Sequence, residues 1–326
     1  MQRLKNNDRG AVAVIVSLMI VPILILAALA IDVAAMHADR QQLRTGADAA
    51  ALAAAQDCAR DDCTTTESTA QTMADANFNG DGATGAIIEL DETTGSVSAQ
   101  TSAVREHWFG PIAGIDQTRL EAQASARWGY PTGGTAVLPL AYSWCELEAQ
   151  TGIEVLRDGS GAVIGVDIPS TTPQRTIYST KSSKTECTGR SNNKLPGGFG
   201  YLEPNPQNCG KTESVIDGWV ETDPGNSAPS PCTNADFRKW VGKTVLLPIF
   251  DLAQGTGNNA RYQIFGYAAF TLSSYHLGGS FSYNAPCSGS DRCVRGSFDR
   301  FVDLSEDFDY SPTSPRMGAS VVALTE

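Results

Sequence analysis

The sequence predicts an α+β protein with three parts: an N-terminal transmembrane and stalk helix, a small α+β module, and a β-rich, disulfide-stapled extracytoplasmic domain. Three observations lead to this fold class. Residues 11–31 are an uncharged apolar run, residues 33–56 continue it with strong helix formers, and eight cysteines follow among segments rich in β-branched and aromatic residues. We divide the 326 residues into a cytoplasmic tail (1–10), the transmembrane and stalk helix (11–56), the α+β module (57–134) and the β-rich cysteine-containing domain (135–326).

The apolar run has the length of a membrane span. All of its 21 residues except Ser17 and Pro22 are apolar. As an α-helix it would cover about 31 Å, which matches the hydrocarbon thickness of a bilayer. The apolar core of a secretory signal is usually only about 7–15 residues long. We therefore expect an anchor that is kept, with the lipid bilayer as a partner through one transmembrane helix.

The charges that flank the run predict its orientation. Arg3, Lys5 and Arg9 precede it, whereas Asp32 and Asp39 follow it. Under the positive-inside rule the short tail is cytoplasmic and the bulk of the chain is extracytoplasmic. Beyond residue 10 the chain has 35 acidic and 21 basic side chains. This excess of negative charge argues against nucleic acid as a partner and favours a soluble, exposed domain.

The cysteines indicate disulfides. Their number is even, and all lie on the side of the run assigned to the outside, where thiols are oxidised. Zinc is disfavoured because no CxxC pair occurs and His37, His107 and His276 are not at ligand spacing. Cys58 with Cys63 and Cys287 with Cys293 are the natural local pairs, while the middle four permit three connectivities. The eight candidates are Cys58, Cys63, Cys145, Cys187, Cys209, Cys232, Cys287 and Cys293.

The helix is expected to continue past the membrane to about residue 56, where Gly46 is its one weak position. At 100° per residue a narrow stripe of small and apolar side chains forms on one face. This stripe either packs on the chain's own domain or forms a face for a partner helix. Its members are Met36, Leu43, Ala47, Ala50 and Ala54.

The α+β module follows the stalk. We expect a second short helix over residues 68–76, strands over 86–90 and 96–104, a short apolar segment over 107–115, and a half-buried strand over 119–128. Asp75, Asn77, Asn79 and Asp81 have the offsets of the first half of a calcium loop, but Ala86 stands where a bidentate Glu is needed. A turn after a helix is the simpler interpretation.

Gly, Pro and Thr at residues 130–135 mark the predicted boundary to the β-rich domain. Strand-like segments follow, with a long Ser, Asn, Gly and Pro-rich region between residues 180 and 236. An unstructured loop of that length is uncommon in a compact domain, so we expect an ordered excursion held by disulfides.

No motif for catalysis or cofactor binding is present. The sequence lacks a nucleophile elbow and a phosphate-binding loop ending in Lys-Ser/Thr, and it has only three dispersed histidines. We therefore predict a non-enzyme without a cofactor. The tryptophans Trp144, Trp219 and Trp240 either bind a glycan or partner or belong to the core of a β domain.

Three motifs stand out at the N-terminus: Arg9-Gly10 stands before the span, Ile31-Asp32 closes it, and residues 42–55 read QLRTGADAAALAAA. These motifs resemble those of the TadE/TadG-like proteins of Flp (Tad) pilus assembly. Residues 137–140, 197–202 and 246–251 are similar to a cysteine-containing C-terminal extension found in a subset of the family. The resemblance implies a non-catalytic assembly factor or a minor pilin-like subunit, with other pilus-assembly or pilin subunits as partners.

Two features of the sequence differ from those of some proteins in that family. Relatives processed as prepilins carry Glu a few residues after the cleavage glycine, whereas Ile15 stands there in this chain, which argues against cleavage after Gly10. An Asp-x-Ser-x-Ser adhesion cluster, as in a von Willebrand A-type domain, is missing from the sequence. The alternative function is a membrane-tethered surface module that binds a glycan or protein through the aromatic and Gly-rich segment around Phe199 and Tyr201.

Overall fold

We describe a computed structural model of the chain, which covers residues 9–60, 62–80, 82–151, 154–157, 159, 163–167, 172–183, 186–188, 194–255, 260–299 and 308–325. Its α-helices are α1 (Arg9–Ala59), α2 (Thr66–Asn77), α3 (Trp144–Thr151) and α4 (Asn234–Arg238), and 3-10 turns occupy Cys63–Thr65 and Gly110–Ala113. The strands of the module are β1 (Thr84–Asp91), β2 (Ser96–Glu106) and β3 (Gln117–Ala136). The later strands are β4 (Leu140–Ser143), β5 (Glu154–Arg157), β6 (Val163–Asp167), β7 (Arg175–Tyr178), β8 (Glu186–Thr188), β9 (Lys194–Pro196), β10 (Phe199–Leu202), β11 (Thr212–Val215), β12 (Trp219–Asp223), β13 (Thr244–Gln254), β14 (Arg261–Gly278), β15 (Phe281–Tyr283), β16 (Cys293–Asp299), β17 (Phe308–Ser311) and β18 (Val321–Thr325).

Helix α1 unites the apolar run and the Ala-rich segment in one element of 51 residues. Within the part of the chain that the structure describes, it is the one helix long and apolar enough to cross a membrane. Its two halves differ in exposure. Residues 12–27 are all exposed, whereas Leu43, Ala47, Ala50 and Ala54 are buried. Strong helix formers carry the helix out of the apolar run without a break, as the sequence predicts.

The second half of α1 packs on an antiparallel sheet. Strand β2 pairs with β1 on one side, with a bulge between Ile87 and Glu89, and with β3 on the other. Alternate residues of β2, among them Val97, Ala99 and Ala103, are buried on the face that meets the helices. Helix α2 covers the same layer beside α1, and Gly85 of β1 lies so close to Ala70 of α2 that a Cβ would be 2.2 Å from its carbonyl oxygen.

A second, larger sheet forms the β-rich part. Its described strands run in the order β12-β10-β4-β13-β14-β16-β7, with β15 added to β14. Strands β13 and β14 form its centre as a long antiparallel pair. The core is aromatic, with Tyr142, Phe270 and Phe298 in mutual edge contacts at ring distances of 5.1–5.9 Å. The predicted α+β fold class is confirmed: a long apolar helix is followed by β-rich sheets with disulfides.

Strand β3 links the two parts. Its first half pairs with β2 and its second half pairs with β11 and β17. The Gly, Pro and Thr residues at 130–135, predicted as a boundary, therefore lie inside a continuous 20-residue strand. The C-terminal strand β18 returns to pair with residues 125–129 of β3. The division at residue 134 stays a prediction about domains, but strands from both sides of it share one sheet.

The disulfides join all eight cysteines, which lie within the described residues. The local pairs are Cys58–Cys63 and Cys287–Cys293. Of the three connectivities open to the middle four, the structure has Cys145–Cys187 and Cys209–Cys232. The region between residues 180 and 236 is predicted to be ordered. Its described residues include the short strands β8 to β12, the whole Cys209–Cys232 bond and one end of the Cys145–Cys187 bond.

Candidate functional site at the junction of the apolar helix and the β2–β3 loop

The stripe predicted on α1 faces the chain's own core. Leu43 packs with Ala103 and Leu120, and Met36 lies partly buried against this cluster. Ala50 and Ala54 belong to a second cluster with Val97 and Ala99 of the sheet. Ala47 is also fully buried. The alternative interpretation was that the stripe is a face for a partner helix. It is wrong for Leu43, Ala47, Ala50 and Ala54, because none of these four side chains is accessible.

Polar contacts attach the sheet to α1 at the point where the apolar part of the helix ends. Asp32 directly follows the apolar run, and its carboxylate accepts three backbone hydrogen bonds from the loop that joins β2 to β3. Trp108 N donates to Oδ1 at 3.1 Å, and Phe109 N and Gly110 N donate to Oδ2 at 3.0 Å and 2.8 Å. This loop, residues 107–116, we call the β2–β3 loop.

The three N–H donors favour the ionised form of Asp32. Burial by itself raises the pKa of this carboxyl, but the hydrogen bonds from Phe109, Trp108 and Gly110, with the charge of His107, outweigh it. The net result is a pKa below the ordinary value of 3.8. Asp32 is therefore a carboxylate at neutral pH, and it fixes the backbone of the loop to the helix.

Two further contacts align β2 with the helix above this point. The Thr101 hydroxyl donates a 2.7 Å hydrogen bond to the backbone oxygen of Leu43. Arg105 Nη1 lies 3.1 Å from Asp39 Oδ2. As the chain proceeds from Thr101 of β2 to Gly110 of the loop, its contacts on α1 move from Leu43 through Asp39 to Asp32. The β2–β3 hairpin thus runs toward the apolar half of the helix, with its loop at the tip.

An open cleft of about 570 Å³ lies beside the same junction, between α1 and the start of β3. Its lining includes the exposed side chains of His37, Arg40 and Arg119. Arg119 is paired with Glu121, at 2.7 Å between Nε and Oε1. This accessible, mixed-charge surface on the stalk lies to the side of the buried stripe.

The segment around Phe199 and Tyr201 is a buried strand. Tyr201 is only 3% exposed, and Phe199 is fully buried. A small cavity of about 180 Å³ adjoins both residues, with Tyr262 and Lys181 in its lining. Burial raises the pKa of the Tyr201 phenol, whose hydroxyl has no hydrogen-bond partner among the described residues. The expectation that this segment offers surface aromatics is wrong, because both rings are buried in the core of the larger sheet.

The tryptophans differ in their positions. Trp144 is buried against Phe265, and Trp219 is exposed with the Arg261 guanidinium 4.7 Å from its ring centre. Trp240 is partly buried against the core of the larger sheet. None of the described residues forms a group of three or more His, Cys, Asp or Glu side chains able to hold a metal ion, and Asp81 of the calcium-like sequence lies outside the described residues.

In the sequence alone, Asp32 stands out only as a charge that flanks the apolar run, and residues 107–115 stand out only as an apolar segment. The contact between them is not predicted. The signal available was the combination of an acidic residue directly after an apolar run and a segment, residues 108–115, that contains Gly and Pro and is otherwise apolar. Nothing in the spacing linked the two, because 76 residues separate Asp32 from Trp108.

Comparison with known proteins supplies one match. Residues 10–57 match the family model described as putative Flp pilus-assembly TadE/G-like. No curated protein and no solved structure matches the chain. The matched segment is α1 almost in full, so it includes Asp32 and the buried Ala-rich half, and a long C-terminal remainder follows it.

Proposed function

We propose that this chain, whose TadE/G-like segment is helix α1, is a membrane-anchored, non-catalytic component of a Flp/Tad pilus system, either an assembly factor or a minor pilin-like subunit. The observation that carries the proposal is the division of α1 into two halves. The matched segment joins an exposed apolar half to a half that buries one face, with Leu43, Ala47, Ala50 and Ala54, against the head. By the head we mean all described residues from 62 onward.

The proposed orientation places the head outside the cytoplasmic membrane. The basic residues before the span support it, as do disulfides, which persist in oxidising compartments. Alkaline phosphatase fused after residue 326 should be active, because it would lie outside the cytoplasm. A reporter that is active only in the cytoplasm, fused at the same position, should be inactive. The reverse pattern would contradict this topology.

In this proposal the chain acts by positioning other subunits relative to the membrane. A continuous helix of 51 residues has a length of about 77 Å, and about 31 Å of this lies in the apolar run. Because the remaining part is packed against the sheet by Leu43, Ala50 and Ala54, the head and the span behave as one connected body. Such a body can hold other subunits at a defined height above the membrane.

Photocross-linking in cells tests the proposed partners. The exposed positions Gln41 and Arg44 on the stalk would carry the cross-linker, and the neighbouring buried Leu43 is the matched control. We expect Gln41 or Arg44 to capture pilus-assembly or pilin subunits and Leu43 to give only internal products with the sheet. Normal surface pili in a deletion strain, together with no captured pilus protein, would contradict the proposal.

The alternative function, a surface module that binds a glycan or protein through Phe199 and Tyr201, receives no support from their positions. Both are buried, so Tyr201→Ala would create a cavity in the β sheet and reduce stability whatever the protein binds. That variant therefore does not test binding.

A further inference from the structure

Exposed apolar side chains concentrate in the β2–β3 loop. Ile112 is 84% exposed, Trp108 67%, Ile115 55% and Phe109 37%. Residues 108–115 carry no charged side chain. Single exposed apolar residues are normal on a protein surface, but a contiguous group marks a contact with another apolar phase or molecule.

The loop lies at the level where the proposed membrane span ends. Its backbone N–H groups at Trp108, Phe109 and Gly110 are within 3.1 Å of the Asp32 carboxylate, one residue beyond the apolar run. Ala28, one helical turn before Asp32 on the same face, is half-buried, whereas residues 12–27 and 29–31 are exposed. Ala28 is therefore the residue of the apolar run at which coverage by the chain begins.

The direction of the hairpin carries its tip toward the membrane. Thr101 meets Leu43, Arg105 meets Asp39 and the loop meets Asp32, so each step along β2 moves closer to the apolar half of α1. The chain turns back after the 3-10 turn Gly110–Ala113, which places Ile112 at the turn itself. The most exposed apolar side chain of the loop is thus at the tip of the hairpin.

We propose that the β2–β3 loop inserts Trp108, Phe109, Ile112 and Ile115 into the interface of the same bilayer that α1 spans, as a second membrane contact. The inference rests on the membrane span in the proposed function. The occupant is a lipid surface because the exposed apolar group is attached at Asp32, one residue beyond the exposed apolar run of α1 that the bilayer would cover. Aromatic side chains beside aliphatic ones are typical of segments that lie at the level of the lipid headgroups.

The consequence is a fixed orientation of the head. One helix alone leaves the head free to rotate about the helix axis and to tilt with it, whereas interfacial anchors set tilt and rotation. With the loop inserted, the helix and the loop define two points in the membrane. The cleft that contains His37, Arg40 and Arg119 then faces a constant direction along the membrane surface.

Spin-label depth measurements on the full chain in phosphatidylcholine vesicles test the proposal. Ile112→Cys is the test variant and Ile88→Cys, an exposed isoleucine on β1 of the same module, is the matched control. Leu24→Cys, in the middle of the apolar run, reports on the span itself. Labelling without reductant leaves the eight native cysteines in their disulfides.

We expect the label at residue 112 to be several-fold more accessible to oxygen relative to a water-soluble nickel chelate than the label at residue 88. A label at residue 112 that matches residue 88, while residue 24 is deep, would overturn the loop insertion and leave the span intact. A label shielded from both reagents would also overturn it, because protein and not lipid would then cover the loop. A water-accessible label at residue 24 would overturn the span and the insertion together.

Discussion

At the scale of single residues, Asp32 determines how the loop attaches to the helix. Its carboxylate accepts N–H donors from Trp108, Phe109 and Gly110, and hydrogen bonds to a charged acceptor are stronger than neutral ones. In Asp32→Asn one oxygen is replaced by an amide NH₂, which cannot accept. We expect amide exchange at Phe109 and Gly110 to become about tenfold faster, measured by hydrogen–deuterium exchange of the peptide that contains them.

The same attachment should depend on pH in one direction. The pKa of Asp32 is lower in the folded protein than in the unfolded chain, so its stabilising effect is complete above the ordinary value of 3.8 and is lost as the pH falls through the folded value. Protection of the loop should therefore decrease at acidic pH in the natural protein and not in Asp32→Asn. The control Asp75→Asn, on the exposed surface of α2, should retain the natural pH dependence.

Two glycines, one in α1 and one in β1, should respond oppositely to alanine. At Gly46 of α1 a Cβ would meet Asn77, Thr101 and Ala74 at 3.4–3.7 Å, which is ordinary contact. Gly46→Ala should raise the free energy of unfolding by about 0.5–1 kcal/mol, because alanine favours a helix interior. At Gly85 the added Cβ would be 2.2 Å from the Ala70 oxygen, so Gly85→Ala should lower it by about 1–3 kcal/mol.

Chemical denaturation of both glycine variants in the same detergent measures the difference. A loss of stability in Gly46→Ala would show that α1 and α2 need a closer approach than the structure has. Unchanged stability in Gly85→Ala would show that α2 can move away from β1 at little cost.

Single residues differ in how far the sequence predicts them. The local cysteine pairs follow from short spacing, since Cys58 and Cys63 are 5 residues apart. The pairing of Cys145 with Cys187 depends on how α3 and β8 meet in space, which spacing does not encode. For the same reason the long-range contact between Asp32 and the loop was missed, and the surface position expected for Tyr201 was wrong.

At the scale of elements, the Ala-rich half of α1 needs small side chains because the sheet and α2 approach it closely. Ala54 is fully buried, and the neighbouring Ala53 is only half-buried. Ala54→Leu should overpack this contact and lower the free energy of unfolding by about 1–3 kcal/mol. Ala53→Leu, the same change one residue earlier, should stay within about 0.5 kcal/mol of the natural protein.

Thermal unfolding of these two variants, followed by circular dichroism, provides the comparison. Equal midpoints for Ala54→Leu and the natural protein would mean that this face is not packed as described. That result would reopen the possibility that the stripe is a surface for a partner helix.

Elements themselves were more predictable than their ends and their connections. The expected strands 86–90 and 96–104 lie within β1 (Thr84–Asp91) and β2 (Ser96–Glu106), because alternating or β-branched residues fit a half-buried sheet. The expected strand 119–128 is the first half of β3, which continues to Ala136. Turn-forming residues at 130–135 remain extended there because β11 and β17 pair with them.

At the scale of the whole molecule, the disulfides should differ in their contribution to stability. In the chain-entropy model a bond stabilises more when it closes a longer loop. Cys145–Cys187 closes 42 residues and Cys58–Cys63 closes 5. Replacing both cysteines by serine should cost about 4 kcal/mol for the first pair and about 2 kcal/mol for the second. Denaturation of the two double variants measures this order, and a larger loss for Cys58 and Cys63 would contradict it.

The return of the C-terminal strand connects the two parts of the chain. Val321 of β18 is buried and pairs with Gly129 of β3, and Val322 packs against the Ala-rich cluster of α1. A module made only of residues 57–134 would lack this strand. The stability of the stalk helix should therefore depend on residues about 270 positions away in the sequence.

Val321→Asp tests this dependence. It places a carboxylate at a position that is only 5% exposed, which should cost about 2–5 kcal/mol. The exposed Leu324 on the same strand is the matched control, because Leu324→Asp adds the same charge in contact with water. We expect Val321→Asp to increase hydrogen exchange in α1 over residues 47–55 as well as in β18, and Leu324→Asp to leave α1 unchanged. If exchange rises only in β18, residues 57–134 fold with the stalk independently of the C-terminal strand, and the division at residue 134 separates two folding units.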